Sequence, residues 1–302
     1  MLEILSDEAQ ALAQGMLLGD RSGLTPEMVQ AFRSAGMSHI LAVSGMHVGI
    51  IMTVVWMLLK PLEWATLLLA PQRMWVYYSI GMVKRFTVIG VTILYVVMIG
   101  APTSAVRAAL MLSLTLIGWM MHRTTSGWRC LLLAALILLA WDPWSISEVG
   151  FQLSFLAVAG ILLFQPWLQS KKCPRWFRLI LLSVAAQWLT TPIVAYWFHQ
   201  VPVLGWLQGL LVVPWLPAFV VGVLLLILFP TCGWIAYCVE LMTHWIGNCA
   251  ELIGQMEQWI LGGHVYLYPA WWEVVLAEVL LLAIIVYLRL RRASGNPDDV
   301  AY

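Results

Sequence analysis

The sequence predicts an all-α fold: a polytopic transmembrane helical bundle of about nine spans, some broken or re-entrant, with short N-terminal surface helices. Three observations predict it. Of the 302 residues 62% are hydrophobic and 10% charged, where a soluble globular domain carries about 25% charged residues. Mean hydropathy is +0.87, and apolar stretches repeatedly approach the roughly 20 residues that cross a bilayer. Lysine and arginine cluster in a few connections and are missing from others, as the positive-inside rule describes.

Two non-spanning helices are expected within 1–37. Ser6 followed by Asp7 and Glu8 reads as an N-cap with an acidic first turn, and Thr25-Pro26-Glu27 repeats that grammar with proline at the first helical position. The second helix turns Met28, Val29 and Phe32 to one side and stops at Gly36. The acidic start lacks the basic region and small-residue cleavage site of a secretory signal, so no removable segment is expected. A transmembrane domain is expected over 38–288, with spans at 38–59, 86–101, 104–121, 129–141, 148–168, 179–198, 205–229, 233–253 and 271–288. Residues 62–80 read equally as span or connection. Pro102, Pro192, Pro214 and Pro217 mark candidate breaks. A polar tail follows over 289–302.

The basic connections are Lys60–Arg85, Arg123–Arg129, Lys171–Arg178 and the tail with Arg289, Arg291 and Arg292. Alternation along the spans puts them on one face and leaves 142–147, 199–204 and 254–270, which hold no Lys or Arg, on the other. If 62–80 does not cross, the N-terminus lies outside and the C-terminus in the cytoplasm. The five cysteines are scattered and never form CxxC, so they read as small buried hydrophobes, and neither a metal site nor a cofactor is expected.

The stretch SHILAVSGMHVGI, Ser38 to Ile50, is unusually polar for a span. On a helix advancing about 100° per residue, Ser38, Ala42, Gly45 and Gly49 form a small-residue packing face, with His47 nearly opposite. His39 and His47 would lie roughly 12 Å apart along such a helix, too far to share a metal ion. Each histidine either bonds a local carbonyl or, in the case of His47, lines an aqueous interior. Further polar segments follow. GAPTSAVRAALM carries Arg107, SEVGFQLSFLAVAG carries Glu148, Gln152 and Ser154, and QWLTTPIVAYWFHQVP begins with Gln187. Arg107 either pairs with Glu148 or Asp142 inside the bundle or reaches the interface. Ser44 and His47, three residues apart, could also be read as an intramembrane serine hydrolase pair, although one regular helix rarely aligns a nucleophile, its base and oxyanion donors.

The pairing of GDRSGL (Gly19 to Leu24) with SHILAVSGMHVG (Ser38 to Gly49, Met46 standing where leucine is usual) resembles the membrane domain of ComEC-type competence proteins. GAPTSAVRAALM and DPWSISEVGFQLSFLAVAGI resemble later motifs of that family, and GLLVVP near Gly209 departs from its usual asparagine-containing version. The resemblance implies a multi-pass protein of the cytoplasmic (inner) membrane that passes single-stranded DNA during transformation. It also implies partnership with DNA-receptor proteins and a cytoplasmic ATPase or helicase, and an oligomer is compatible with it. On this reading His39, Ser44, His47, Arg107, Glu148, Gln152, Ser154 and Gln187 line or shape the polar path. No HxHxDH-type cluster is present, so no nuclease step is expected of this chain, an isolated core or a fragment. A small-solute transporter is the alternative, with the serine hydrolase a more distant one.

Overall fold

The computed structural model describes residues 4–41, 43–69, 74–121, 125–169, 174–261 and 265–295. Ser6 caps α1 (Asp7–Leu18), its side chain accepting from Ala9 N, and Gly19 ends the helix in the left-handed conformation at φ 77°. Thr25 caps α2 (Pro26–Ser34) in the same way. After these come α3 (Gly45–Leu58), α4 (Lys60–Leu69), α5 (Met74–Met98), α6 (Thr103–Met120) and α7 (Gly127–Trp141). A 3-10 turn, Pro143–Ser147, leads into α8 (Val149–Leu168) and α9 (Arg175–Phe198). The chain continues through β1 (Gln200–Val201), α10 (Gln208–Leu211), α11 (Leu216–Leu228), α12 (Gly233–Leu261), β2 (Val265–Tyr266) and α13 (Trp271–Gly295).

Among the described residues five helices are long and apolar enough to cross a membrane: Gly45–Ala65, Tyr78–Met98, Thr103–Met120, Val149–Leu168 and Trp176–Phe198. A sixth span exists if Gly205–Leu211 and Leu216–Leu228, bent by 60° across their break, count as one. That bend is the broken span expected from Pro214 and Pro217. The count is lower than the nine expected: of the other three, 271–288 falls in α13, whose 25 residues run on to Gly295. Gly127–Trp141 is short, and α12 carries Glu240, His244, Glu251 and Glu257 along its length. Among the described residues no separate crossing falls within 62–80: 62–65 close the first span and 78–80 open the second. Lys84 and Arg85, expected in a basic connection, lie inside α5. Lys84 is buried, bonds Glu63 of α4 at 2.8 Å and stands 3.8 Å from the centre of the Trp56 ring. Its charge is thereby matched twice, which is how a lysine is tolerated at that position.

The N-terminal helices lie against the bundle. Leu12, Met16, Phe32, Met37 and Ile40 pack with Phe219, Val223, Ile246 and Ile253 of α11 and α12 in the largest core cluster. Met52, Val88 and Leu116 join α3, α5 and α6, and Leu163, Leu189 and Ile285 join α8, α9 and α13. At the crossing of α8 and α9, a Cβ on Gly160 would fall well inside van der Waals contact with the Ala185 carbonyl oxygen, so the helices touch backbone to backbone. Beyond α9, β1 pairs antiparallel with β2, Gln200 opposite Tyr266 and Val201 opposite Val265. His199 stacks on Tyr268 with ring centres 4.8 Å apart, and buried Glu257 accepts the Val203 N–H at 2.7 Å. Trp141, Trp144 and Trp259 are 91%, 82% and 87% exposed, as interfacial anchors are. Of the described cysteines, Cys130 and Cys249 are buried, Cys232 is partly buried and Cys238 is exposed.

Candidate functional site: an unwound polar junction

The structure corrects the reading of Ser38 to Ile50 as one helix. Helix α3 begins at Gly45, with Ser44 as its N-cap in extended conformation. Ser38, His39 and Ile40 form a turn, and Leu41, Val43 and Ser44 are irregular. His47, at the third helical position, accepts the Ser44 N–H on Nδ1 at 3.0 Å, taking the place that Glu or Gln holds in a capping box. This competing cap starts the helix seven residues later than apolar periodicity suggested. Ser38 therefore shares no helical face with Gly45, and Ala42 lies outside the described residues. Of the two helical glycines, Gly45 faces α6, where a Cβ would stand 3.0 Å from Arg107 Nη2 and 3.1 Å from Ala108 Cβ. Gly49 has nothing within 4 Å.

Met37, Ile40, Leu41 and Val43 are buried, so this irregular backbone lies inside protein and its polar groups need partners. Side chains from four directions supply them. Arg21 Nε donates to Leu41 O at 3.1 Å, Ser104 Oγ of α6 to Val43 O at 3.1 Å, Gln208 Nε2 of α10 to Gly36 O at 3.4 Å, and His47 takes the Ser44 N–H. GDRSGL is thus a brace. Asp20 Oδ1 accepts Ser22 N at 2.9 Å, closing a tight turn that presents Arg21, and this bond holds the Asp20 carboxyl below the usual carboxylate range. Gly36, at φ 72°, fits where a Cβ would approach Pro202 Cγ to 2.8 Å.

The two histidines differ in kind. His47 is 0% exposed, not open to an aqueous interior as one reading had it, and its Nε2 is enclosed without a partner. His39, by contrast, is exposed. His39 does not share the helix that carries His47. Ser44 Oγ lies 3.1 Å from His47 Nδ1, but that nitrogen already receives the Ser44 backbone N–H. Capping accounts for the contact, and no third group orients the ring through Nε2.

Arg107 is 7% exposed and pairs with neither Glu148 nor Asp142, contrary to the pairing considered from the sequence. Its Nε donates to Ser154 Oγ of α8, Nη1 lies 3.7 Å from Met111 Sδ, and Cζ lies 5.9 Å from the Phe155 ring centre. Glu148 accepts instead from Thr103 Oγ1 at 2.8 Å, and Asp142 Oδ1 from Trp144 N at 3.0 Å as the cap of the 3-10 turn. Gln152 donates to Ile146 O and accepts from Trp197 Nε1, each at 3.1 Å. Gln187 lies farther along, where a Cβ on Gly205 would be 3.4 Å from its Oε1. The structure therefore brings Ser44, His47, Arg107 and Ser154 together around the start of α3 and leaves Glu148, Gln152 and Gln187 at other contacts. Sequence reasoning assigned no role to Arg21, Ser104 or Gln208. Only the first carried a signal, as the charged residue of a glycine-flanked turn.

Apolar spans built around a hydrogen-bonded interior junction define a multi-pass helical membrane protein. A model of the family described as Competence protein matches residues 16–292, and the chain belongs to that family. It is 28% identical over 263 residues to "ComE operon protein 3" of Bacillus subtilis, a match covering 84% of this chain and 31% of that protein. With "Competence protein ComA" of Neisseria gonorrhoeae it shares 29% identity over 152 residues, 50% of this chain and 21% of the relative. With "Uncharacterized protein YcaI" of Escherichia coli it shares 24% over 200 residues, 63% and 25% of the two chains. The chain spans less than a third of the length of these relatives. No solved structure matches it.

Proposed function

We propose that this chain is the membrane-spanning part of a DNA-uptake channel that passes a single strand across the cytoplasmic membrane, N-terminus outside and C-terminus inside, without enzymatic chemistry of its own. One observation carries the reading: non-helical backbone over 37–41 and 43–44 beside a bundle of apolar helices, with Met37, Ile40, Leu41 and Val43 buried and His39 exposed. Irregular backbone at membrane depth persists where it is enclosed by protein or lines a watery cavity, and a polyanion needs such a cavity because phosphates do not shed water into hydrocarbon. Family membership and the competence name of one relative agree with a nucleic-acid cargo. DNA-receptor proteins would deliver the strand, a cytoplasmic ATPase or helicase would draw it in, and copies of the chain could assemble around it.

The test is uptake of labelled DNA by cells lacking their own channel, with the remaining regions of a full-length relative supplied in trans. The chain is expected to restore uptake, and Arg107→Ala to reduce it at equal membrane abundance. An inserted chain that restores none ends the proposal. Saturable uptake of a small solute without DNA would favour the transporter alternative, and labelling of Ser44 by a fluorophosphonate would favour a hydrolase. Cysteine accessibility across 38–44, with native cysteines removed, should find position 39 reactive to a water-soluble reagent and position 40 protected.

A further inference from the structure

Far from the junction, we infer that Glu278 is a proton-binding site whose ionisation releases α13 from α9. Glu278 stands about two turns into α13, and both of its carboxyl oxygens are enclosed by protein with no hydrogen-bond partner. Leu281 and Ile285 follow it at the three- and seven-residue spacing of one helical stripe, and they pack with Leu163 of α8 and Leu189 of α9. The carboxyl group therefore lies on the face that α13 turns to the bundle.

No neighbouring group compensates it. Towards the end of α9 stand Tyr196, whose ring meets Trp197, and His199, stacked on Tyr268, while Arg175 and Arg178 are at the opposite end of that helix. Helix α8 holds no titratable residue, and Arg129 of α7, next to the Trp128 that joins the cluster, is exposed. On α13 itself Glu273 accepts the Ala270 N–H at 2.8 Å, and the arginines begin at Arg289, about three turns on. Among the described residues none of these bonds Glu278. Trp188 of α9 packs on the same cluster with its Nε1 sealed and without an acceptor, so the contact leaves even a nearby donor unused. A carboxylate needs water, a cation or several donors, whereas a carboxylic acid needs far less. With α13 docked, Glu278 is the neutral acid. Ionisation passes its proton to water and leaves a charge that the docked interface does not solvate, so the carboxylate is held only with α13 moved off α9. The contact is thus strongest at low pH and weakens as pH rises.

The test compares the purified chain in maltoside micelles with Glu278→Gln, a neutral side chain of the same shape, between about pH 5 and about pH 9. Infrared difference spectra should show the C=O band of a neutral carboxylic acid at the low end of that range, absent from Glu278→Gln and disappearing as pH rises. Hydrogen exchange of α13 amides, compared at equal pH so that intrinsic rates cancel, should match in the two chains at low pH. As pH rises it should become faster in the unsubstituted chain, by up to about ten-fold per pH unit, the limit for one proton. If the acid band is the same in both chains, or missing from both, the proton site is overturned. A band that titrates while α13 exchange stays equal overturns the release. If Glu278→Gln fails to fold, Glu278→Asp in a chain carrying isotope-labelled glutamate takes its place: the labelled acid band should vanish, and its persistence overturns the inference.

Discussion

The junction at 36–47 and the crossing of α8 with α9 solve opposite problems in the same hydrocarbon setting. At the crossing, both backbones are helical and satisfied internally, so closeness is the sole requirement, and Gly160 meets it by having no side chain. At the junction the backbone is unwound, and each exposed carbonyl or N–H needs a donor or acceptor from elsewhere: Arg21, Ser104, Gln208 and His47. One region is held by shape, the other by stoichiometry of hydrogen bonds. A shape-held contact tolerates no added volume, whereas a bond-held one is sensitive to removal of polar atoms.

Substitutions can break or sharpen that contrast. Gly160→Leu should be the most damaging, because the clash is with backbone that cannot turn aside; loss at or above the upper end of the about 1–3 kcal/mol usual for overpacking is expected, read as failure to survive detergent extraction. Arg21→Ala removes a charged donor from a carbonyl inside protein and should cost about 1.5–3 kcal/mol in thermal or denaturant stability. Ser104→Ala removes a neutral donor from Val43 O and should cost about 1 kcal/mol by the same assay. Gly49→Ala, in open space, should be neutral or slightly stabilising, within roughly 0.5–1 kcal/mol, since alanine favours the helix. If Gly49→Ala proved as harmful as Gly160→Leu, the distinction between open and touching glycines would fail.

The sequence reading and the structure agree where the cause is local. Ser6 and Thr25 cap the helices their neighbours announce, Gly36 adopts the left-handed turn after α2, and prolines 214 and 217 accompany a 60° bend. Disagreement begins where the cause is distant. Ile40, Leu41 and Val43 are apolar and read as part of the leading turns of a span. What unwinds them is a cap formed by a histidine, reinforced by an arginine 20 positions away and a serine 61 positions away. Glycine spacing marked 45 and 49, yet the backbone contact falls at 160, because periodicity gives a glycine's face and not whether a neighbour occupies it. Arg107 was legible as a charge needing compensation; that it would find a hydroxyl instead of a carboxylate depended on the register between α6 and α8.

The antiparallel link between β1 and β2 fastens the connection after α9 to the one between α12 and α13, with the His199–Tyr268 stack and the Glu257 contact beside it. Such a strap makes two hairpin ends travel together: whatever tilts α9 at that end drags the start of α13 with it. Separation of those helices by rocking is therefore confined to the far end of the bundle, and the strapped end becomes the pivot about which they swing.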